Sequence, residues 1–74
     1  MNYAEQFLLS NGFELMEENS YANSVCNVVI NKEEGIYEVA NNEGFVMYSN
    51  NMSIYWLIGY LTFSNFIPQN YKLP

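Results

Sequence analysis

Val25-Cys26-Asn27-Val28-Val29-Ile30-Asn31, Lys32-Glu33-Glu34-Gly35, Ile36-Tyr37-Glu38-Val39-Ala40, Asn41-Asn42-Glu43-Gly44 and Phe45-Val46-Met47-Tyr48-Ser49 follow one another without interruption. This stretch decides the fold. Its three apolar runs are rich in β-branched and aromatic residues, and each junction between them is a polar four-residue segment ending Glu-Gly, where glycine supplies the positive φ that closes a short hairpin. The first run places apolar groups on both faces, as a central strand requires. The stretch therefore predicts an antiparallel meander of three strands. Upstream, Phe13 to Glu17 alternates over a span too short to decide, so the sheet has three strands or four, with residues 18–24 as a polar connection.

Helices flank the meander. Asn2 can cap the first, with Glu5 three residues later as a capping-box partner, and Tyr3, Ala4, Phe7 and Leu8 fall on one helical stripe. Asn11-Gly12 supplies a left-handed terminator, and Phe13 can fold back on the last turn. Downstream, Asn50-Asn51 and Ser53 mark a break and offer caps. Met52 to Phe63 is then almost wholly apolar and aromatic. Its length and the i, i+3, i+4, i+7 stripe of Ile54, Leu57, Ile58 and Leu61 favour a helix over an aromatic strand. Pro68 forbids its continuation, and Gln69 to Pro74 reads as an extended tail with Tyr71 and Leu73 able to pack back. The predicted class is α+β: residues 1–74 as one small domain, two helices on one face of an antiparallel sheet.

The 74 residues carry eight acidic side chains against two basic ones, a formal charge of −6. All eight are Glu, and His, Asp and Arg are absent. Without imidazole, a serine or cysteine nucleophile lacks its usual base, and a transition-metal site loses its best ligand. No glycine-rich phosphate cradle or calcium loop is present. The adjacent carboxylates Glu17-Glu18 and Glu33-Glu34 could form an acid–base pair only in a cleft, and Glu33-Glu34 falls in a solvated turn. The expectation is a protein that is not an enzyme and needs no cofactor or metal. Direct nucleic-acid binding is disfavoured because phosphate backbones are held by Lys and Arg. The Glu surplus serves either solubility or a basic protein partner.

Met52 to Phe63 is about 12 residues where a bilayer span needs about 20, and the N-terminus lacks a cationic leader, so no membrane attachment and a cytoplasmic setting are expected. A lone Cys26 fits that setting as a small buried hydrophobe. A chain this short buries only about 60% of its unfolded surface, which favours stabilisation by self-association. The second helix offers the surface. With Ile54, Leu57, Ile58 and Leu61 on the sheet, Tyr55, Trp56, Gly59, Tyr60 and Phe63 lie opposite, nearly as apolar, and must be covered either by the first helix and tail or by another molecule. Gly59 would mark a close backbone approach.

The layout, a short helix ending Asn11-Gly12-Phe13, a strand meander, then Ile54-Tyr55-Trp56-Leu57-Ile58-Gly59-Tyr60-Leu61, resembles small acidic proteins encoded by bacteriophages and mobile elements. That resemblance implies a role against a host protein, such as occupying the basic groove of a nucleic-acid-binding defence or transcription factor. Glu14, Glu17, Glu18, Glu33, Glu34, Glu38 and Glu43 would then stand in for phosphates. Three functions remain as expectations: a self-associating interaction module using the aromatic helix surface, an acidic nucleic-acid mimic, and a binder stacking an aromatic or nucleotide ring on Trp56 or Tyr60.

Overall fold

A computed structural model describes residues 2–51 and 53–74. The elements run α1 (Tyr3–Ser10), β1 (Glu14–Glu17), β2 (Ser20–Ala22), β3 (Cys26–Asn31), β4 (Ile36–Asn41), β5 (Val46–Asn51) and α2 (Ile54–Phe63). The α+β class is as read from the sequence. The sheet is longer than expected, with five antiparallel strands in the order β1-β2-β3-β4-β5. The extra strand is β2, in the segment read as a polar connection: Tyr21 faces Val28, and Ser20 and Ala22 face Val29 and Asn27. A three-residue strand has no periodicity of its own to read, and its pairing partners hold it in place.

Both turns follow one local scheme. Asn31 Oδ1 accepts the Glu34 N–H before Gly35, and Asn41 Oδ1 accepts the N–H groups of Glu43 and Phe45 around Gly44. The two glycines have φ +70° and +91°, a region that side-chain-bearing residues rarely enter. Between these turns β4 is fully paired on both sides, from Ile36 against Asn31 and Asn51 to Ala40 against Asn27 and Val46. Asn50 and Asn51 extend β5 rather than breaking the chain, and the α2 cap is Ser53, whose hydroxyl accepts the Trp56 N–H. The expected helix start at Met52 lies outside the described residues.

Alternation sets the core. Cys26, Val28 and Ile30 of β3 and Tyr37 and Val39 of β4 are buried on one face, together with Tyr21. Ala4, Phe7 and Leu8 of α1 and Leu57 and Leu61 of α2 cover that face, so both helices lie on one side of the sheet. Tyr3, placed on the same stripe by spacing, is instead exposed at the first position of the helix. Asn2 caps α1 by accepting the Glu5 N–H. The Glu5 carboxylate reaches Tyr21 and lies 3.8 Å from Lys32, an ion pair too open to add much stability.

Asn11 anchors the tail. Asn11 Nδ2 donates to the carbonyls of Phe7 and Lys72, and Asn11 Oδ1 accepts the Lys72 N–H at 2.7 Å. That places Tyr71 edge-on against Phe7, with ring centroids 5.8 Å apart. Leu73 stays exposed instead of packing back. A second clasp joins the β2–β3 loop to the segment after α2: Asn23 Oδ1 accepts the N–H groups of Val25 and Cys26, and its Nδ2 donates to Phe66.

Candidate interaction surface

The sequence of α2, Ile54–Phe63, contains no charged residue and almost no polar one, so every turn of it must meet apolar matter or water. The sheet takes Leu57 and Leu61, which are fully buried, with Ile54 and Ile58 half-buried beside them. Tyr60 turns inward as well. It stacks on Tyr48 of β5 at 4.3 Å with planes 12° apart and meets Phe66 edge-on at 6.1 Å. Of the five residues assigned by spacing to the outer side, Tyr60 is therefore tied to the protomer's own sheet, because β5 presents a ring of matching size beneath it.

The other four face solvent. Tyr55, Trp56 and Phe63 are 84%, 59% and 86% exposed, and Gly59 lies between them. At about 200 Å² per aromatic side chain, these three rings present about 450 Å² of mostly apolar surface. The largest apolar patch on a monomer is about 300–600 Å² and is often functional. The first helix and the tail, which sequence offered as a cover, leave these rings uncovered. The expected close approach at Gly59 has no counterpart within the chain, since nothing lies within 4 Å of where a Cβ would stand.

A groove runs along each flank of α2. On the α1 side, a volume of about 680 Å³ is bounded by Tyr3, Tyr55, Ile58, Thr62, Tyr71 and Leu73. On the β5 side, about 340 Å³ is bounded by Tyr48, Trp56, Gly59, Tyr60 and Phe63. Neither groove is lined by a carboxylate, amine or thiol. The Thr62 hydroxyl is engaged, donating to the α2 backbone at Ile58. Such walls can bind rings and aliphatic groups by area, with tyrosine hydroxyls and Thr62 as their polar groups.

The carboxylates gather elsewhere. Register places Glu14, Glu17 and Glu38 on the sheet face opposite the helices. Glu18, Glu33 and Glu34 sit in turns near the C-terminal end of β3, whereas Glu43 lies in the turn at the other end of β4. They form no single stripe. Among the described residues no three potential metal ligands come together. Cys26 is buried in β3, and burial pushes its thiol up to about 11, leaving it protonated and unreactive at neutral pH. Burial, and then the neighbouring Glu5 carboxylate, raise the Tyr21 phenol, and burial raises Tyr37.

Residues 44–71 contain no Asp, Glu, Lys or Arg, while all eight Glu and Lys32 precede them. The chain thus has an acidic part, α1 to β4, and a neutral part, β5 and α2, with Glu38 of β4 standing opposite Ser49 where the two meet. No protein-family model, curated sequence or solved structure matches the chain. No helix among the described residues is long and apolar enough to cross a membrane.

Gly59 makes a sharp prediction about the helix. A mid-helix glycine is about 0.5–1 kcal/mol worse than alanine, and here the Cβ would meet nothing. Gly59→Ala should raise the melting temperature of the dilute protein by about 4 °C. A fall in melting temperature would show that the backbone at Gly59 needs glycine for a reason inside the protomer.

Proposed function

We propose that this chain is a non-enzymatic interaction module that self-associates through the outer face of α2. One observation carries the reading: Tyr55, Trp56 and Phe63 stand exposed around Gly59 on a helix with no charge. Two such faces would bury about 900 Å² from these rings alone, and the groove walls on either flank lift the total past the roughly 1,000 Å² of a specific interface. Rigid aromatic rings near the centre of a patch are the usual energetic anchors. A copy of this chain also presents an uncharged α2 to an uncharged α2.

Sedimentation velocity tests the reading. Wild type should be dimeric in the micromolar range, and Trp56→Glu should weaken association at least 30-fold, the effect of about 2 kcal/mol at a hot spot. Because each copy carries −6, association should strengthen with added salt as like charges are screened. A chain monomeric up to about 100 µM overturns the proposal.

The segregation of charge favours a second, compatible reading. The acidic part, with Glu14, Glu17 and Glu38 on the open sheet face and Glu18, Glu33 and Glu34 at its end, fits a basic protein partner in the manner of a nucleic-acid mimic. Such a complex would weaken steeply with salt, the opposite sign to self-association.

A further inference from the structure

The two edges of the sheet are unlike. β1 is four residues long, contains Glu14 and Glu17, precedes Glu18 and is broken by a register shift between Leu15 and Glu17. Charges, brevity and irregularity are what keep an edge from pairing with another chain. β5, Val46-Met47-Tyr48-Ser49-Asn50-Asn51, has six residues and neither charge nor proline. A register shift opposite Val39 and Ala40 sets Met47 aside, and Tyr48–Asn51 then runs in regular register against β4. Among the described residues no sixth strand lies beside β5.

The open edge and the aromatic groove are adjacent. Tyr48 belongs to β5 and also to the groove holding Trp56, Gly59, Tyr60 and Phe63. An occupant that extends the sheet at β5 therefore meets this side of α2 at the same time.

Resting on the self-association just proposed, we infer that a second copy docks edge to edge, its β5 antiparallel to this one, so that one sheet runs through both protomers. A two-fold axis pairs identical strands antiparallel and sets both α2 helices on the same face, flanking the axis. Adjacent strands lie about 4.8 Å apart and packed helices about 8–10 Å apart, so helices above neighbouring edge strands come within packing reach. Charge favours this chain as the occupant. The surface to be met spans residues 44–71, without a charged side chain, and the same surface on a second copy is its neutral complement. The acidic β1 edges are left outermost, four strand spacings or about 19 Å from each β5, and the carboxylate nearest the joint is Glu38, on β4 opposite Ser49.

Hydrogen exchange of the intact chain, read by mass spectrometry below and above the dimerisation concentration, tests the arrangement. The amides of Val46–Asn51 that point away from β4 should exchange at least tenfold more slowly in the concentrated sample, while those of β1 stay unchanged. Ser49→Lys adds a guard charge to an exposed β5 position. It should weaken association several-fold; a dimer held by the helices alone would be unaffected or tightened, since the lysine reduces net repulsion. A dimer whose β5 exchange is independent of concentration overturns the edge pairing and leaves the helix-face module intact. A chain monomeric throughout overturns both.

Discussion

Phe7→Ala is expected to lower the melting temperature by at least 15 °C. Phe7 is fully buried, and it is the residue through which α1, the core and the tail meet: its ring abuts Tyr71 and its carbonyl accepts the Asn11 Nδ2. Truncating a buried Phe costs about 3–5 kcal/mol, from lost transfer energy and the cavity left behind. A 74-residue domain has only about 4–11 kcal/mol in total. Collapse around the cavity is limited, because α1 has eight residues and no helical stability apart from its docking. Thermal circular dichroism reads the effect, with the exposed Leu9→Ala as the surface comparison, expected within about 0.5 kcal/mol of wild type. A loss under 5 °C for Phe7→Ala would mean that α1 contributes little to the core.

The second large effect is alkaline. Cys26, Tyr21 and Tyr37 all have folded-state values raised by burial, Cys26 from 9.0 to about 11. The sign follows from proton counting. Between pH 9 and 11 the unfolded thiol has lost its proton while the folded thiol keeps it, so the native state binds more protons and stability falls as pH rises. The contribution is complete below pH 9. The rise from 9.0 to about 11 corresponds to about 2–3 kcal/mol lost by the time the pH passes 11, with the tyrosines deepening the fall above pH 10. Urea midpoints at pH 7, 9 and 10.5 should decline over the last interval, and Cys26→Ala should flatten that decline while lowering stability at pH 7. A midpoint constant to pH 10.5 would mean that water reaches the thiol.

Much of the fold is visible in local chemistry. Gly35 and Gly44 announce their turns because positive φ is a property of single residues, and Leu57 and Leu61 declare the buried side of α2 because 3.6-residue spacing is local too. What escapes notice depends on partners distant in sequence. Ser20-Tyr21-Ala22 looks like a loop until Val28 is beside it, and Asn50-Asn51, poor strand formers, are carried on by Tyr37 and Ile36 of β4. On the candidate surface, spacing separates the two sides of α2 but cannot assign Tyr60, whose inward turn depends on Tyr48. The abundant asparagines look like turn chemistry and compositional bias. Asn31 and Asn41 do serve turns, whereas Asn11 and Asn23 fasten segments 61 and 43 residues away.

The Asn11 clasp carries a chemical liability. Asn11-Gly12 is the chain's single Asn-Gly pair, the dipeptide in which the following amide most readily attacks the side chain to give a succinimide and then a carboxylate. While folded, the side chain is held by Phe7 and Lys72 and is withdrawn from that attack. In the unfolded chain it is free. Once deamidated, residue 11 would bring a carboxylate up to the Phe7 and Lys72 carbonyls that now accept from its Nδ2, replacing attraction by repulsion. Each excursion through the unfolded state therefore ages the molecule, and time spent hot, more than temperature reached, sets how much of it can refold.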